Sequence, residues 1–354
     1  MTPKPNIDIH CPLSLSADDT IRMAHGGGGR LMQQLIHEIF LEAFSNSYLN
    51  ALQDSAVLPT LDGRLAMTTD SYVVHPLFFP GGDIGSLAIH GTVNDLAMMG
   101  AIPLYVSAGF ILEEGLSVDT LKHVVSSMAN SAQACGVQIV CGDTKVVDRG
   151  KGDQIFINTT GLGIISPSCH IGPHHITPGD RIIVSGDVGR HGMAVLSVRE
   201  GLTFSGDLAS DSAPLHELVA ELIEKGVSVH CLRDLTRGGL ASALNELTTT
   251  AGVSMAINES HIPVSESVRG ACEILGLDPL YVANEGRCVL FLPSGDVEKA
   301  LSILKSHAIS EHAAEIGEVL PLVSNHTPQV ILQTSYKTHR VLDLLSGEQL
   351  PRIC

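Results

Sequence analysis

Apolar residues at positions 31, 32, 35, 36, 39, 40 and 44 form two adjoining rows, the stripe of an amphipathic helix over Arg30–Phe44. Leu65–Thr69 and Ile102–Leu112 read as strands, with a helix between them over Ile84–Met99. Ser117 stands where an N-cap belongs, at the head of a helix running to Ala134. Val137–Val140 and Ile155–Ile165 are further strands. The pattern breaks over Ser166–Thr177, rich in Pro, Gly and His, and Pro178-Gly179-Asp180 then turns into a strand over Arg181–Ser185. Beyond it the mixture repeats. Helices are expected near Gly192–Arg199, Pro214–Lys225, Gly238–Thr249 and Asp296–Ser306, and strands near Val253–Ile257, Cys288–Leu292 and Val330–Gln333. Residues 1–24 read as an irregular N-terminal extension and 341–354 as a mobile tail, leaving two α+β domains, 25–168 and 175–340.

The composition, with 44% hydrophobic and 17% charged residues in 354, supports a buried core in each half. Acidic residues outnumber basic ones 38 to 21, a net charge of −17 that disfavours nucleic-acid backbones and anionic membrane surfaces. The eight cysteines form no C-x-x-C pair and several sit in apolar runs, as reduced core thiols do. No run of 18 apolar residues and no signal-peptide pattern occurs, so a cytoplasmic protein is expected.

Four aspartates stand among small residues at the ends of elements: Asp54, Asp70, Asp95 and Asp234. A lone Asp in such a place is a turn former or cap; four, if they converge, offer the hard oxygen ligands that Mg²⁺ takes together with phosphate. A P-loop motif is absent, so any phosphate cradle lies elsewhere. Two glycine-rich segments, His25–Gly29 and Gly186–Gly192, each precede a helix and offer backbone N–H groups to phosphate or serve as plain turns. Gly142-Asp143-Thr144-Lys145 follows a strand and sets an acid, a hydroxyl and a cation side by side, with Lys145 able to offset phosphate charge. His174-His175 are read as linker residues. Glu285, in the polar break Asn284-Glu285-Gly286 between apolar segments, is a candidate base or a solvated loop residue. The chain ends Pro351-Arg352-Ile353-Cys354, and a terminal cysteine has no packing logic. Its thiol is read as a carrier of substrate on a mobile arm.

Ordered blocks carry a resemblance over Ala24–Cys354: Ala24–Gly29, Thr68–Pro80 with Phe78-Phe79-Pro80, Gly91–Gly100, Gly109–Gly115, Gly142–Val147, Asp234–Gly239, Asn284-Glu285-Gly286 and the terminal Pro-Arg-Ile-Cys. Together they resemble the HypE family of hydrogenase-maturation proteins, in the AIR-synthetase-like (PurM-like) superfamily. Gly27 stands where that family often has Ser or Ala, and residues 1–23 extend beyond the match. The resemblance implies a two-domain PurM-like α+β fold whose N-terminal domains join strands into a barrel across a homodimer. It implies ATP-dependent dehydration of a carbamoyl group on Cys354 to a thiocyanate, which supplies cyanide to the iron of [NiFe]-hydrogenase. HypF would donate the carbamoyl group and a HypC–HypD complex would accept the cyanide. By the same resemblance Asp54, Asp70, Asp95 and Asp234 match magnesium ligands, and Thr69, Asn94, Asp143, Thr144 and Lys145 match nucleotide contacts. Cys354, Lys145 and Glu285 are then the catalytic residues. Relatives such as selenophosphate synthetase need a Cys or selenocysteine near the first glycine loop, where this chain has none. A non-catalytic thiol carrier shaped by ATP is the rival of a different class.

Overall fold

The computed structural model describes residues 15–16, 19–202, 208–322, 327–345 and 353. Its first sheet has four strands: β1 (Arg64–Tyr72), β4 (Ala101–Glu113), β5 (Gln138–Val147) and β6 (Ile155–Ile165), in the order β1-β6-β4-β5. A short hairpin, β2 (Phe78–Phe79) and β3 (Gly82–Asp83), precedes helix α3 (Ile84–Met98). The expected first helix is present as α1 (Arg30–Leu35), a π-wound stretch Ile36–Leu41 and α2 (Glu42–Phe44). It packs with α3 and α4 (Val118–Ala134) over one face of the sheet, and Ile21 of the lead-in is fully buried in that same core. Ser117 caps α4 as expected, accepting from the Asp119 N–H at 3.2 Å.

The second sheet has seven strands in the order β13-β12-β9-β11-β7-β10-β8. These are β7 (Arg181–Val184), β8 (Cys231–Asp234), β9 (Ser254–Asn258), β10 (Cys288–Leu292), β11 (Ala314–Leu320), β12 (Val330–Gln333) and β13 (His339–Val341). One apolar core lies between this sheet and α7 (Gly239–Ala251); another joins it to α6 (His216–Glu224) and α9 (Val297–Ser306). Helices α5 (Arg190–Arg199) and α8 (Glu266–Leu275) pack on each other beside it. Among the described residues no helix is long and apolar enough to cross a membrane.

Helix α3 decides how the halves meet. Small and apolar residues surround its whole circumference, so it has no solvent face. One side lies on β1, β4 and β6, while Ala97 and Met98 enter the core of the second half. Asp83 starts it, accepting from the N–H groups of Gly85 and Ser86 while Ser86 Oγ accepts from the Asp83 N–H.

Candidate functional site

Strand alternation sorts the candidate residues. Thr68, Asp70 and Tyr72 point from β1 towards α3, whereas Leu65, Met67 and Thr69 point to the opposite, uncovered face. Asp95, on the α3 face that meets β1, accepts from Thr68 Oγ1 at 2.6 Å. Asp234 ends β8, and Glu285 lies in the loop before β10. These acids share one field. Burial pushes the Asp95 carboxyl up to about 6, with Asp234 and Asp70 adding repulsion against the partial relief from Thr68. Asp234 is raised by burial first, and Asp70 adds to it. Glu285 is fully desolvated and held well above the usual carboxylate range, by burial and then by Asp211, Asp234, Asp70 and Asp95. Its Oε1 has no hydrogen-bond partner among the described residues.

The backbone beside Glu285 is tightly held. Asp211 Oδ2 accepts from the N–H groups of Glu285 and Gly286 at 3.3 and 3.0 Å, and Oδ1 accepts from the His191 N–H at 3.1 Å. A Cβ at position 286 would collide with the Asp211 carbonyl, so only glycine admits this approach. Asn284 accepts from the Gly189 N–H at 2.6 Å and donates to the carbonyls of Leu235 and Val282. Gly189 caps α5 with φ 91°, a left-handed geometry. Buried Arg287 pairs with Asp187 at 2.8 Å, and Asp187 also holds Arg190 at 2.6 Å. The Gly186–Gly192 segment is thus built into this wall.

Several expectations change. Asp54 is exposed in the loop before β1, and within one chain it is not among the acids that raise Asp95, Asp234 and Glu285. Asn94 is buried with both ends of its amide engaged: it accepts from the Leu215 N–H at 2.7 Å and donates to the carbonyls of Ala213 and Glu285. That makes it a strut between the halves, with no donor left for a nucleotide. The Gly142–Lys145 segment does not end its strand but continues β5, whose pairing with β4 runs to Val147. Thr144 therefore points into the core, while Asp143 and Lys145 point to the uncovered face that Thr69 also occupies. Strands β5 and β1 are opposite edges of the sheet, three spacings or about 14 Å apart. Within one chain Lys145, Asp143 and Thr69 thus do not join Asp70, Asp95, Asp234 and Glu285. Among the described residues no three His, Cys, Asp or Glu side chains form a ready metal cage.

Cys354, like Cys11, lies outside the described residues. The residue before it does not. Ile353 is 5% exposed, belongs to the same apolar cluster as Phe79, Val195 and Ala283, and its carbonyl lies 2.6 Å from His191 Nε2. Leu342 is also fully buried, so the segment expected as a mobile tail is anchored at two points. His191 and Asp211 escaped sequence reasoning. His191 stands inside a glycine-rich segment weighed only for its backbone, and Asp211 follows a stretch without periodicity.

Two family models match the chain: the N-terminal domain of AIR synthase related proteins over residues 52–165, and their C-terminal domain over 177–323. Carbamoyl dehydratase HypE of Azotobacter vinelandii is 51% identical over 335 residues, 95% of this chain and 97% of that protein. Its counterpart in Escherichia coli (strain K12) is 48% identical over 341 residues, 95% of this chain and all of that protein. A crystal structure of hydrogenase maturation protein HypE in complex with ATP matches with a TM-score of 0.91 at 50% identity, covering 94% of this chain and 99% of that one. A HypE–HypF complex matches at 0.77 and 47% identity, covering 88% and 99%. The chain belongs to the HypE family of carbamoyl dehydratases, a two-domain α+β branch of the AIR-synthase-related (PurM-like) superfamily.

Proposed function

We propose that this hydrogenase-maturation protein dehydrates a carbamoyl group carried on the sulfur of its own Cys354, at the expense of ATP, to give a thiocyanate. The observation that carries the reading is the docking of Ile353 by His191, whose backbone shares the carboxylate of Asp211 with the backbone of Glu285. The last residue is bonded directly to that anchor.

The carbamoyl oxygen leaves poorly as hydroxide. Transfer of the γ-phosphoryl group of ATP to it makes the leaving group phosphate, and loss of both amide protons then leaves S–C≡N, ADP and phosphate. Glu285 is the candidate proton acceptor: burial and the neighbouring acids raise its pKa, so once ionised it is a stronger base than an ordinary carboxylate. Asp70, Asp95 and Asp234 would hold magnesium, whose charge when bound offsets their repulsion. The fit rests on their oxygen chemistry and on the raised pKa values of Asp95 and Asp234. An incomplete protein cage suits an ion that keeps water and phosphate ligands. Thr69, Asp143, Thr144 and Lys145 remain nucleotide-side candidates, with Lys145 steadying the carbamoyl oxygen or the γ-phosphate. Thr144, buried in one chain, is the least accessible of them.

The uncovered face of the first sheet supports a homodimer with a shared barrel. It exposes Leu65, Met67, Ile102 and Ile111 at 61, 74, 63 and 42%. HypF as carbamoyl donor is supported by the solved HypE–HypF complex; a HypC–HypD acceptor and a cytoplasmic site of action follow from the family reading.

The test is the mass of the C-terminal peptide after incubation with HypF, carbamoyl phosphate and ATP. The wild-type carbamoyl adduct should lose the mass of one water, and Cys354→Ser should bind ATP yet form no adduct. A carbamoyl group found on another cysteine would overturn the assignment.

A further inference from the structure

The contact between His191 and the tail has a defined polarity. A carbonyl oxygen only accepts, so the 2.6 Å contact to Ile353 requires the proton on His191 Nε2. The ring is fully buried, and that burial lowers its pKa, which keeps it neutral. Nδ1 is then bare and accepts from Ser210 Oγ at 2.8 Å. The same oxygen accepts from the Ser212 N–H at 3.0 Å, which turns its own proton towards the ring. Phe79 meets the imidazole edge to face, ring centroids 5.3 Å apart. A directed chain therefore runs from the Ser212 N–H through Ser210 and His191 to the tail.

Asp211, between those two serines, fixes the distance of this chain from the acidic group. One of its oxygens holds the backbone of His191 and the other that of Glu285 and Gly286. The Ser210 N–H donates to the Pro80 carbonyl at 2.7 Å, so the first half of the molecule supports the latch as well.

We propose that His191 is a positioning residue: its Nε2–H, in the tautomer set by Ser210, latches the C-terminal arm by the carbonyl of Ile353, and Asp211 keeps the latch in register with Glu285. This deepens the reading of Cys354 as substrate carrier and rests on it. The latch works on the arm and not on the nucleotide, so its loss lowers the fraction of time the arm is docked and leaves ATP affinity alone.

The test follows alkylation of Cys354 by iodoacetamide in the full-length protein, read on the C-terminal peptide so that other cysteines do not interfere. A docked arm is protected, and labelling tracks its undocked fraction. His191→Leu, which fills the space without a donor, should raise the rate roughly 2- to 10-fold, the worth of one neutral hydrogen bond. His191→Gln, which carries an N–H near the Nε2 position, should return most of the protection. Single-turnover ADP formation on the carbamoylated protein should fall in the Leu variant and recover in the Gln variant, with equal ATP affinity in both. Should His191→Leu fail to fold, His191→Met, likewise without a donor, carries the same comparison. Labelling that is unchanged in a folded donor-less variant, or equal in Leu and Gln, would overturn the latch. A carbamoyl group away from Cys354 alongside the expected labelling contrast would instead sink the functional reading and leave the latch standing.

Discussion

At Asp95 a cost to the fold meets the role that the proposed function gives it, both at a single carboxyl. Its pKa is raised to about 6 because burial and the neighbouring acids penalise the ionised form. For an acid raised in the folded state, the penalty is absent below the unfolded value near 3.8. It grows between there and about 6 and is complete above. Asp95→Asn should therefore stabilise the ligand-free protein at neutral pH, by at most about 3 kcal/mol, with the gain vanishing below pH 4. Thermal melts across that window check it. If Asp95 holds the cation as proposed, the same variant should lose ATP-dependent dehydration at least about 100-fold, because the site would lose a charge aimed at the cation and phosphates. Unchanged turnover would remove Asp95 from the site. Three of the four aspartates singled out from sequence share one field, although only Asp234 ends a strand; Asp70 lies within β1 and Asp95 within α3. Asp54 stands apart. Convergence is set by topology, which no local pattern carries.

At the scale of elements, long strongly patterned segments were legible and short or interrupted ones were not. Ile155–Ile165 and Cys288–Leu292 coincide with β6 and β10, whose residues leave no choice of period. Strand β8, Cys-Leu-Arg-Asp, is too short to show one, yet it carries Asp234 into the site. Strand β11 contains Gly317 and a register shift between Glu315 and Gly317, which hides its alternation. Helix α8 has only end signals in the sequence, Ser265 as its cap and Gly276 closing it at φ 69°. The polar residues of Gly142–Lys145 break the apolar run and hide the continuation of β5. Asn94 is the sharpest case: the resemblance matches it to a nucleotide contact, and within this chain its amide staples the two halves. Asn94→Ala would strand the Leu215 N–H and weaken the hold on two carbonyls. Denaturant unfolding should show a loss of about 2–4 kcal/mol. A nucleotide ligand would show the reverse: weakened ATP binding at nearly unchanged stability.

The whole molecule raises the question of where Lys145 would act in the proposed function. It points to the uncovered face of the first sheet, with Asp143 and Thr69, whereas the acids lie on the covered side. That face also carries a lateral apolar row in which Leu65 and Ile102 flank Ile164, with Met67 beside Leu162. A second copy seated there would bury the row and bring Lys145 to a subunit seam. Glutamate at both Met67 and Ile102 should convert a dimer to a monomer in sedimentation velocity, at little cost to the fold because both side chains are already exposed. Complementation asks the catalytic question more sharply. If Lys145 of one subunit serves the acids of the other, two inactive dimers, Lys145→Ala and Glu285→Gln, should recover on co-refolding. A mixed dimer then holds one site with both residues intact, so a random equimolar mixture should regain about a quarter of wild-type activity. If Lys145 served the acids of its own chain, every site in the mixture would lack one residue, and the activity would stay at the level of the parents.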